Sequence, residues 1–195
     1  MNIFVNIFIK GVIFAKSEPC HPDNPFFEYH NIFIIFAVMK ISLLTVGKTD
    51  IAWVREGLET YSSRLSHYVP FTVCEIPELK NTSALSKAQI KDKEGEQILK
   101  NIKAADRVIL LDEHGKEYRS VEFADEIRKM TLGGGKDIVF VIGGAYGFSE
   151  AVYARCNGKV SLSKMTFSHQ MVRTIFTEQL YRAFTIIKGE PYHHE

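Results

Sequence analysis

The chain is poor in the residues and motifs that mark several common protein classes. Its 195 residues include only three cysteines, Cys20, Cys74 and Cys156, whose spacing fits neither a metal site nor a disulfide framework. The sequence around its central glycine turn matches neither Gly-x-Gly-x-x-Gly nor Gly-x-x-x-x-Gly-Lys-Ser/Thr, which excludes the standard dinucleotide and phosphate loops there. We therefore expect no metal, a reducing compartment, and Cys74 and Cys156 as small buried apolar side chains.

The charge balance gives no sign of a bulk electrostatic partner. Lysine and arginine number 24 against 23 aspartates and glutamates, a net charge of +1. A chain this close to neutral has no overall field that draws in nucleic acid, so contact with RNA has to come from a local patch. The run Lys91-Asp92-Lys93-Glu94 is one candidate for gripping phosphate, although a mixed-sign run is more typical of a solvated helix face.

Long uninterrupted apolar runs are also missing. Lysines and a proline-rich segment break up the N-terminal part of the chain, and no run there reaches the ~20 residues of a membrane-spanning helix. A signal peptide is the alternative for the run Ile3–Ala15, but Lys10 interrupts this run and no basic residue precedes it. We predict a cytoplasmic protein without a membrane partner.

Residues 1–38 differ in composition from the rest of the chain. They contain 7 of the 14 phenylalanines and 3 of the 6 prolines. Met39 opens a stretch that reads naturally as a first strand. We therefore interpret residues 1–38 as a non-native or disordered extension and residues 39–195 as a single domain.

Within residues 39–195, apolar strand patterns alternate with amphipathic helical patterns. Strands are expected at residues 40–46, 71–76, 107–111, 138–142 and 159–162, with helices between and after them. This alternation predicts an α/β domain with a mostly parallel sheet and flanking helices. The last helix, from about Gln170 to Ile187, carries apolar residues on more than one stripe, so we expect burial on two sides, for example in a dimer interface.

The segment Asp137–Gly147 is the strongest pointer to a ligand site. Ile138–Ile142 has the continuous apolar character of a strand buried on both faces, and Gly143-Gly144 follow it. Ligands of such sheets bind beyond the carboxyl ends of the strands, and glycine lets a ligand approach the backbone because it has no Cβ. Ser149 is placed to cap the next helix. A plain strand-to-helix turn remains the alternative.

Three other segments carry polar groups at informative places. Asp112–Lys116 follows the third strand, and the hydroxyl-rich segment Ser161–Gln170 leads into the last helix. Both could face the glycine turn, although the second is equally compatible with an ordinary strand-to-helix connection. Tyr192–Glu195 ends the chain, where residues are usually frayed, but a histidine there is suited to moving protons near pH 7.

Several short motifs then occur in a fixed order. They are Asp92-Lys93-Glu94-Gly95, Leu110-Leu111-Asp112, Val141-Ile142-Gly143-Gly144, Leu162-Ser163-Lys164-Met165-Thr166-Phe167, His169-Gln170-Met171-Val172-Arg173, Glu178-Gln179-Leu180-Tyr181-Arg182-Ala183 and Pro191-Tyr192-His193. Together they closely resemble the RlmH (YbeA-like) family of SPOUT-class methyltransferases. The resemblance extends from Met39 to Glu195 and has no counterpart for residues 1–38.

The resemblance implies a fold, a reaction and partners. It implies a SPOUT-type α/β sheet whose C-terminal part is tied in a trefoil knot, and a homodimer. It implies S-adenosylmethionine (SAM) as methyl donor and N3 of a pseudouridine in 23S rRNA as acceptor, with the assembled ribosome as substrate. The alternative is a SPOUT methyltransferase that acts on another RNA, such as tRNA.

The resemblance also assigns residues. Cofactor-binding positions fall on Leu111, Gly143, Leu162, Ser163, Lys164, Met165, Thr166 and Phe167. In the tail, Tyr192 is expected to stack on a base and His193 to accept the N3 proton, with His169 as the other candidate base. Arg182 and Arg173 are expected to pair with RNA phosphates, with an interface salt bridge as the alternative for Arg182. The chain departs from many relatives by carrying Ser168 where they have proline.

Overall fold

The computed structural model describes residues 39–132 and 135–194, together with the backbone of two short strands before them. These strands, β1 (Phe8–Ile9) and β2 (Val12–Ile13), pair antiparallel. The remainder of the proposed extension, residues 1–38, lies outside the described residues, so its interpretation stays a prediction.

A five-stranded parallel sheet forms the centre of the domain. Its strands are β3 (Ile41–Val46), β4 (Phe71–Ile76), β5 (Arg107–Glu117), β6 (Ile138–Ile142) and β7 (Gly158–Ser161), in the order β4-β3-β6-β5-β7. The helices are α1 (Ala52–Leu65), α2 (Lys87–Lys100), α3 (Ser120–Leu132), α4 (Glu150–Arg155) and α5 (Met171–Lys188), with a 3₁₀ turn at Thr82–Ala84. All four strand pairs are parallel, which confirms the predicted α/β class.

Strand β6 shows why the sheet is covered on both faces. Each of its five residues is buried. Ile138, Phe140 and Ile142 join the larger apolar core, which also contains side chains of α1, α3 and α5. Val139 and Val141 join the smaller core, with side chains of α2 and α4. Successive strand residues point to opposite faces, so a continuous apolar run requires helices on both sides.

Helix α5 packs against both α1 and α3. Phe176, Leu180, Ala183 and Phe184 are at most 1% exposed and belong to the larger core. The wide apolar coverage of this helix is therefore used inside the chain, so it gives no independent support for a dimer interface. The homodimer and the C-terminal knot stay predictions that rest on the resemblance.

Some local predictions need correction. Cys74 is exposed, not buried, because it lies on edge strand β4 on the same face as the exposed Thr72. Strand β5 does not stop at Leu111 but continues irregularly to Glu117, with a shift in its pairing to β7. Among the helices described, none has the length and apolar character needed to cross a membrane.

Candidate active site

A cavity of about 460 Å³ lies where β6 and β7 end and where the regular pairing of β5 stops after Leu111. Leu111 pairs with Ile142 on one side and Val160 on the other, so these three residues lie at the same level of the sheet. The lining comes from residues 111–114, 142–148, 160–163, 165–169, Lys91, Tyr153 and Val172. This volume is within the range of cavities that bind small organic ligands.

The structure brings most of the predicted cofactor positions together. The cavity lining includes Leu111 from β5, Gly143 from the turn after β6, and five of the six residues of the loop after β7, namely Leu162, Ser163, Met165, Thr166 and Phe167. The sixth, Lys164, is exposed and is not part of the lining. Segments far apart in sequence thus form one concave surface.

The loop after β7 is shaped by its own hydroxyl groups. The buried Ser161 Oγ donates to the carbonyl oxygen of Ser163 at 3.0 Å, and Ser163 Oγ accepts from the amide of Met165 at 3.0 Å. Both hydroxyls are therefore engaged within the loop. What remains for a ligand is backbone together with side chains such as Leu162 and Phe167, which are half-buried.

The two glycines after β6 lie directly against side chains of the chain itself. A Cβ on Gly143 would come within 3.1 Å of the Phe148 ring, and a Cβ on Gly144 would overlap the carboxylate of Glu94. The sequence had suggested that these glycines leave room for a ligand. In the structure, side chains of the protein itself occupy the space that a Cβ would need.

Glu94 is a residue of this region whose place the sequence did not indicate. Its Oε2 atom is buried without a hydrogen-bond partner among the described residues, and so is Ser149 Oγ. Ser149 occupies the N-cap position of α4 but caps nothing, because Gly95 lets α2 approach and cover its hydroxyl. Burial, and secondarily the charge of Glu78, raises the pKa of the Glu94 carboxyl above its usual value.

Asp112 and Tyr153 both line the cavity and are hydrogen-bonded to each other. Asp112 Oδ1 accepts from the amide of His114 at 2.7 Å, and its Oδ2 accepts from the Tyr153 hydroxyl at 2.5 Å. Burial, followed by this hydrogen bond, raises the pKa of Tyr153 above its usual value, so its phenol stays neutral. Tyr153 lies on a short helix with no motif around it, and the sequence analysis missed it.

Arg173 is not available to RNA. Its side chain is fully buried and donates to the carbonyl oxygens of Val46 at 2.8 Å and Gly47 at 3.0 Å, and to Thr49 Oγ1 at 2.8 Å. Glu75 lies 3.6 Å from the guanidinium. Burial lowers the pKa of Arg173, while acidic neighbours oppose this effect. The predicted phosphate contact is therefore wrong, and Arg173 instead ties the first turn of α5 to the loop after β3.

The predicted catalytic tail follows α5 in sequence and does not line the cavity. His169, the second candidate base, lines the cavity just before the helix starts. The helix then runs for 18 residues, which corresponds to about 27 Å. Tyr192 and His193 follow its end and are absent from the cavity lining. Within one chain, the structure therefore does not bring the tail to the cavity.

The tail is anchored, not frayed. The Tyr192 ring meets the Tyr181 ring edge-on, with 4.8 Å between centroids, and its hydroxyl donates to Glu178 Oε1 at 3.1 Å. The Arg182 guanidinium lies 4.7 Å from the centre of the Tyr192 ring and 2.6 Å from the same carboxylate oxygen. Arg182 is thus held by an ion pair within its own helix.

A second contact holds the chain just before the tail. Gly189 ends α5 in the left-handed conformation at φ 69°, which glycine adopts readily. The next residue, Glu190, accepts a short hydrogen bond from the Tyr68 hydroxyl. Beyond these anchors, His193 is half-buried and His194 is exposed.

Comparison with known proteins gives a consistent result. A family model described as "Predicted SPOUT methyltransferase" matches residues 39–193. The protein named Ribosomal RNA large subunit methyltransferase H from Parabacteroides distasonis is 54% identical over 157 residues, covering 80% of this chain and 100% of the relative. The protein of the same name from Christiangramia forsetii is 55% identical over 156 residues, covering 80% and 99%.

Likeness to solved structures is weaker. The SpoU methyltransferase AviRb from Streptomyces viridochromogenes, solved in complex with the cofactor AdoMet, has a TM-score of 0.40 at 13% identity. The match covers 76% of this chain and 58% of that one. A likeness of this size supports no inference about the site.

Proposed function

The chain belongs to the SPOUT methyltransferase family, as its motifs predicted, and on this premise we propose that it methylates large-subunit ribosomal RNA with SAM as donor. More specifically, we propose that the methyl acceptor is N3 of a pseudouridine in 23S rRNA. The substrate is then the assembled ribosome, and the reaction takes place in the cytoplasm. The observation that carries the proposal is the cavity at the ends of β5, β6 and β7, which unites the segments that the resemblance assigns to the cofactor.

The cavity suits SAM in size and in chemistry. Its loop offers backbone groups and half-buried apolar side chains at Leu162 and Phe167, which is appropriate for a flat adenine ring. When bound, SAM supplies an activated methyl group. The task of the protein is then to hold donor and acceptor in line and to keep water away.

We propose that His193 accepts the proton of N3. This proton must leave when the nitrogen is methylated, and a base that titrates near the working pH is most effective. An imidazole meets that condition, and the tail contacts of Tyr192 would hold it in place. His169, on the cavity rim, is the alternative base.

A homodimer would bring the two parts of the site together. The tail of one chain packs against Glu178, Tyr181 and Arg182 of its own α5, and neither Tyr192 nor His193 lines its own cavity. In a twofold dimer, each tail can approach the cavity of the other chain. The separation of tail and cavity within one chain supports the dimer in place of the apolar coverage of α5.

The experiment that tests the function compares rRNA from cells with and without the protein by mass spectrometry of nucleosides. We expect N3-methylated pseudouridine in 23S rRNA only when the protein is present. In vitro, His193→Ala should reduce methylation of ribosomes by roughly 10²-fold, the effect of losing a positioned base, whereas His194→Ala should not. Methylation of tRNA instead of rRNA would contradict the proposed substrate. A wild-type rate for His193→Ala across pH 6–9 would contradict the role of His193 as the base.

We also propose that residues 1–38 are dispensable. The family match begins at residue 39, where the composition changes. A chain of residues 39–195 should bind SAM and methylate ribosomes as well as the full chain does, measured by calorimetry and methyl incorporation. Aggregation of the shorter chain would argue that the segment belongs to the fold.

A further inference from the structure

Lys91 lines the cavity without a charge partner. It lies in the second turn of α2, its side chain is half-buried, and it makes no hydrogen bond or ion pair with the residues that the structure describes. Lys93, two positions later, lies about 200° further around the helix, is exposed and is absent from the lining. The mixed-sign run thus contains one lysine directed to the cavity and one directed to solvent.

Lys91 belongs to a strip that leads out of the cavity. Tyr146, in the turn after β6, lines the cavity and is 45% exposed. The ammonium of Lys87 lies 5.7 Å from the centre of the Tyr146 ring. Lys87 and Lys91 are four residues apart, so they share one face of α2. We call Lys87, Lys91 and Tyr146 the basic strip.

The acidic groups of the lining lie elsewhere. Asp112 and Glu113 come from the end of β5, and the carboxylate of Asp112 already accepts two hydrogen bonds. Glu94, on α2 itself, is directed at Gly144, where burial raises its pKa and favours the neutral form. The basic strip is therefore the side of the mouth where an anion would be attracted.

We propose that the basic strip holds the RNA strand next to the target nucleotide. The lysines would contact backbone phosphates, and the exposed ring of Tyr146 would stack on an unpaired base. Two lysines on one face of α2 beside a half-exposed aromatic ring match a strand of alternating phosphates and bases. The inference rests on the proposed function and specifies how its substrate is held.

The test compares Lys87→Ala, at the end of the basic strip that does not line the cavity, with the matched control Lys93→Ala. For each full-length variant, the Kd for SAM is measured by calorimetry, and the Kd for purified large ribosomal subunits is measured over a range of salt concentrations. Lys87→Ala should leave SAM affinity unchanged and reduce the slope of log Kd against log salt by about 1, the signature of one lost phosphate contact. Lys93→Ala should change neither. Tyr146→Ala should weaken subunit binding roughly tenfold at every salt concentration.

Two results would contradict the proposed role of the basic strip, and a third would contradict the proposed function instead. If Lys91→Ala weakens SAM binding and keeps the wild-type salt slope, the lysine serves the cofactor carboxylate and the proposal is wrong. Identical slopes for Lys87→Ala and Lys93→Ala would also overturn it. If the wild-type protein methylates tRNA and not the large subunit, the proposed function fails, and the same slope comparison on tRNA still decides the role of the strip.

Discussion

The cavity at the start of α5 and the tail that packs on residues 178–182 of this helix are built in different ways. The cavity is formed mainly by strand ends and loop backbone, and the hydroxyls of Ser161 and Ser163 make hydrogen bonds within the loop. The tail is held by side chains, namely three tyrosines, an arginine and two carboxylates. A surface made from backbone is fixed once the sheet forms, whereas a segment held by a few side-chain contacts can be released by a single substitution.

The difference also appears in the two arginines of α5. Arg173, near the cavity, is fully buried among carbonyl oxygens, whereas the side chain of Arg182, near the tail, is 25% exposed and pairs with Glu178. Removing a buried charged side chain leaves its buried partners unpaired and strongly lowers the free energy of unfolding. A partly exposed ion pair contributes little to that free energy. Replacing Arg173 should therefore destabilise the fold far more than replacing Arg182.

The largest expected effect is on stability, from Arg173→Met. The variant leaves the carbonyl oxygens of Val46 and Gly47 without their donor in a dry environment, which should cost about 3–5 kcal/mol in the free energy of unfolding. Arg182→Met should cost about 1 kcal/mol or less. Urea unfolding curves of both variants check the comparison, and equal losses would show that the two ends do not differ as described.

Next in size is the loss of cofactor binding in Thr166→Trp. Thr166 is exposed and lines the cavity, so a tryptophan there would fill the space without disturbing the core. SAM affinity should fall beyond detection by calorimetry while the melting temperature stays near that of the wild type. Thr60→Trp, on the exposed face of α1, controls for adding a tryptophan to the surface. Undiminished SAM binding by a folded Thr166→Trp protein would place the cofactor elsewhere.

The smallest effect is expected from Tyr68→Phe, which removes one tail contact and keeps the ring. The hydrogen bond to Glu190 is lost, so residues 189–194 should exchange amide hydrogens faster, and methylation should slow several-fold without a change in SAM affinity. Tyr118→Phe is the matched control, because Tyr118 contacts Phe123 and Lys116 and makes no contact with the described residues of the tail. Unchanged exchange in the tail would show that this contact does not anchor it.

The same contact has a defined dependence on pH. Burial, and then the hydrogen bond with Glu190, raises the pKa of Tyr68 above its usual value. Because the folded protein favours the neutral phenol, the contribution to stability is complete below about pH 10 and is lost as the pH rises through the raised pKa. The anchor should therefore hold throughout pH 6–9, so a change of rate within that range has another origin, such as an imidazole.

Much of the fold followed from local pattern. The run Ile138–Ile142 and the alternation around it predicted the buried strand and the α/β class, because covering both faces of a sheet demands continuous apolar residues. The position of the cavity could be predicted, because the carboxyl ends of parallel strands lie on one edge of the sheet and ligands bind there. The partners of buried polar groups were not foreseeable. Nothing in the sequence indicates that Arg173 binds carbonyl oxygens after β3 or that Glu94 lies against Gly144, since these contacts depend on tertiary packing.

The most direct test of the central claim, that the cavity of one chain works with the tail of another, is a mixing experiment. One variant lacks residues 192–195 and keeps its cavity, and the other carries Thr166→Trp and keeps its tail; each alone should be nearly inactive. After equal amounts are mixed and allowed to exchange subunits, half of the dimers are mixed and contain one complete site, so methylation of ribosomes should recover to about a quarter of the wild-type rate. No recovery, with mixed dimers demonstrated by native mass spectrometry, would contradict the account and return the tail to its own chain.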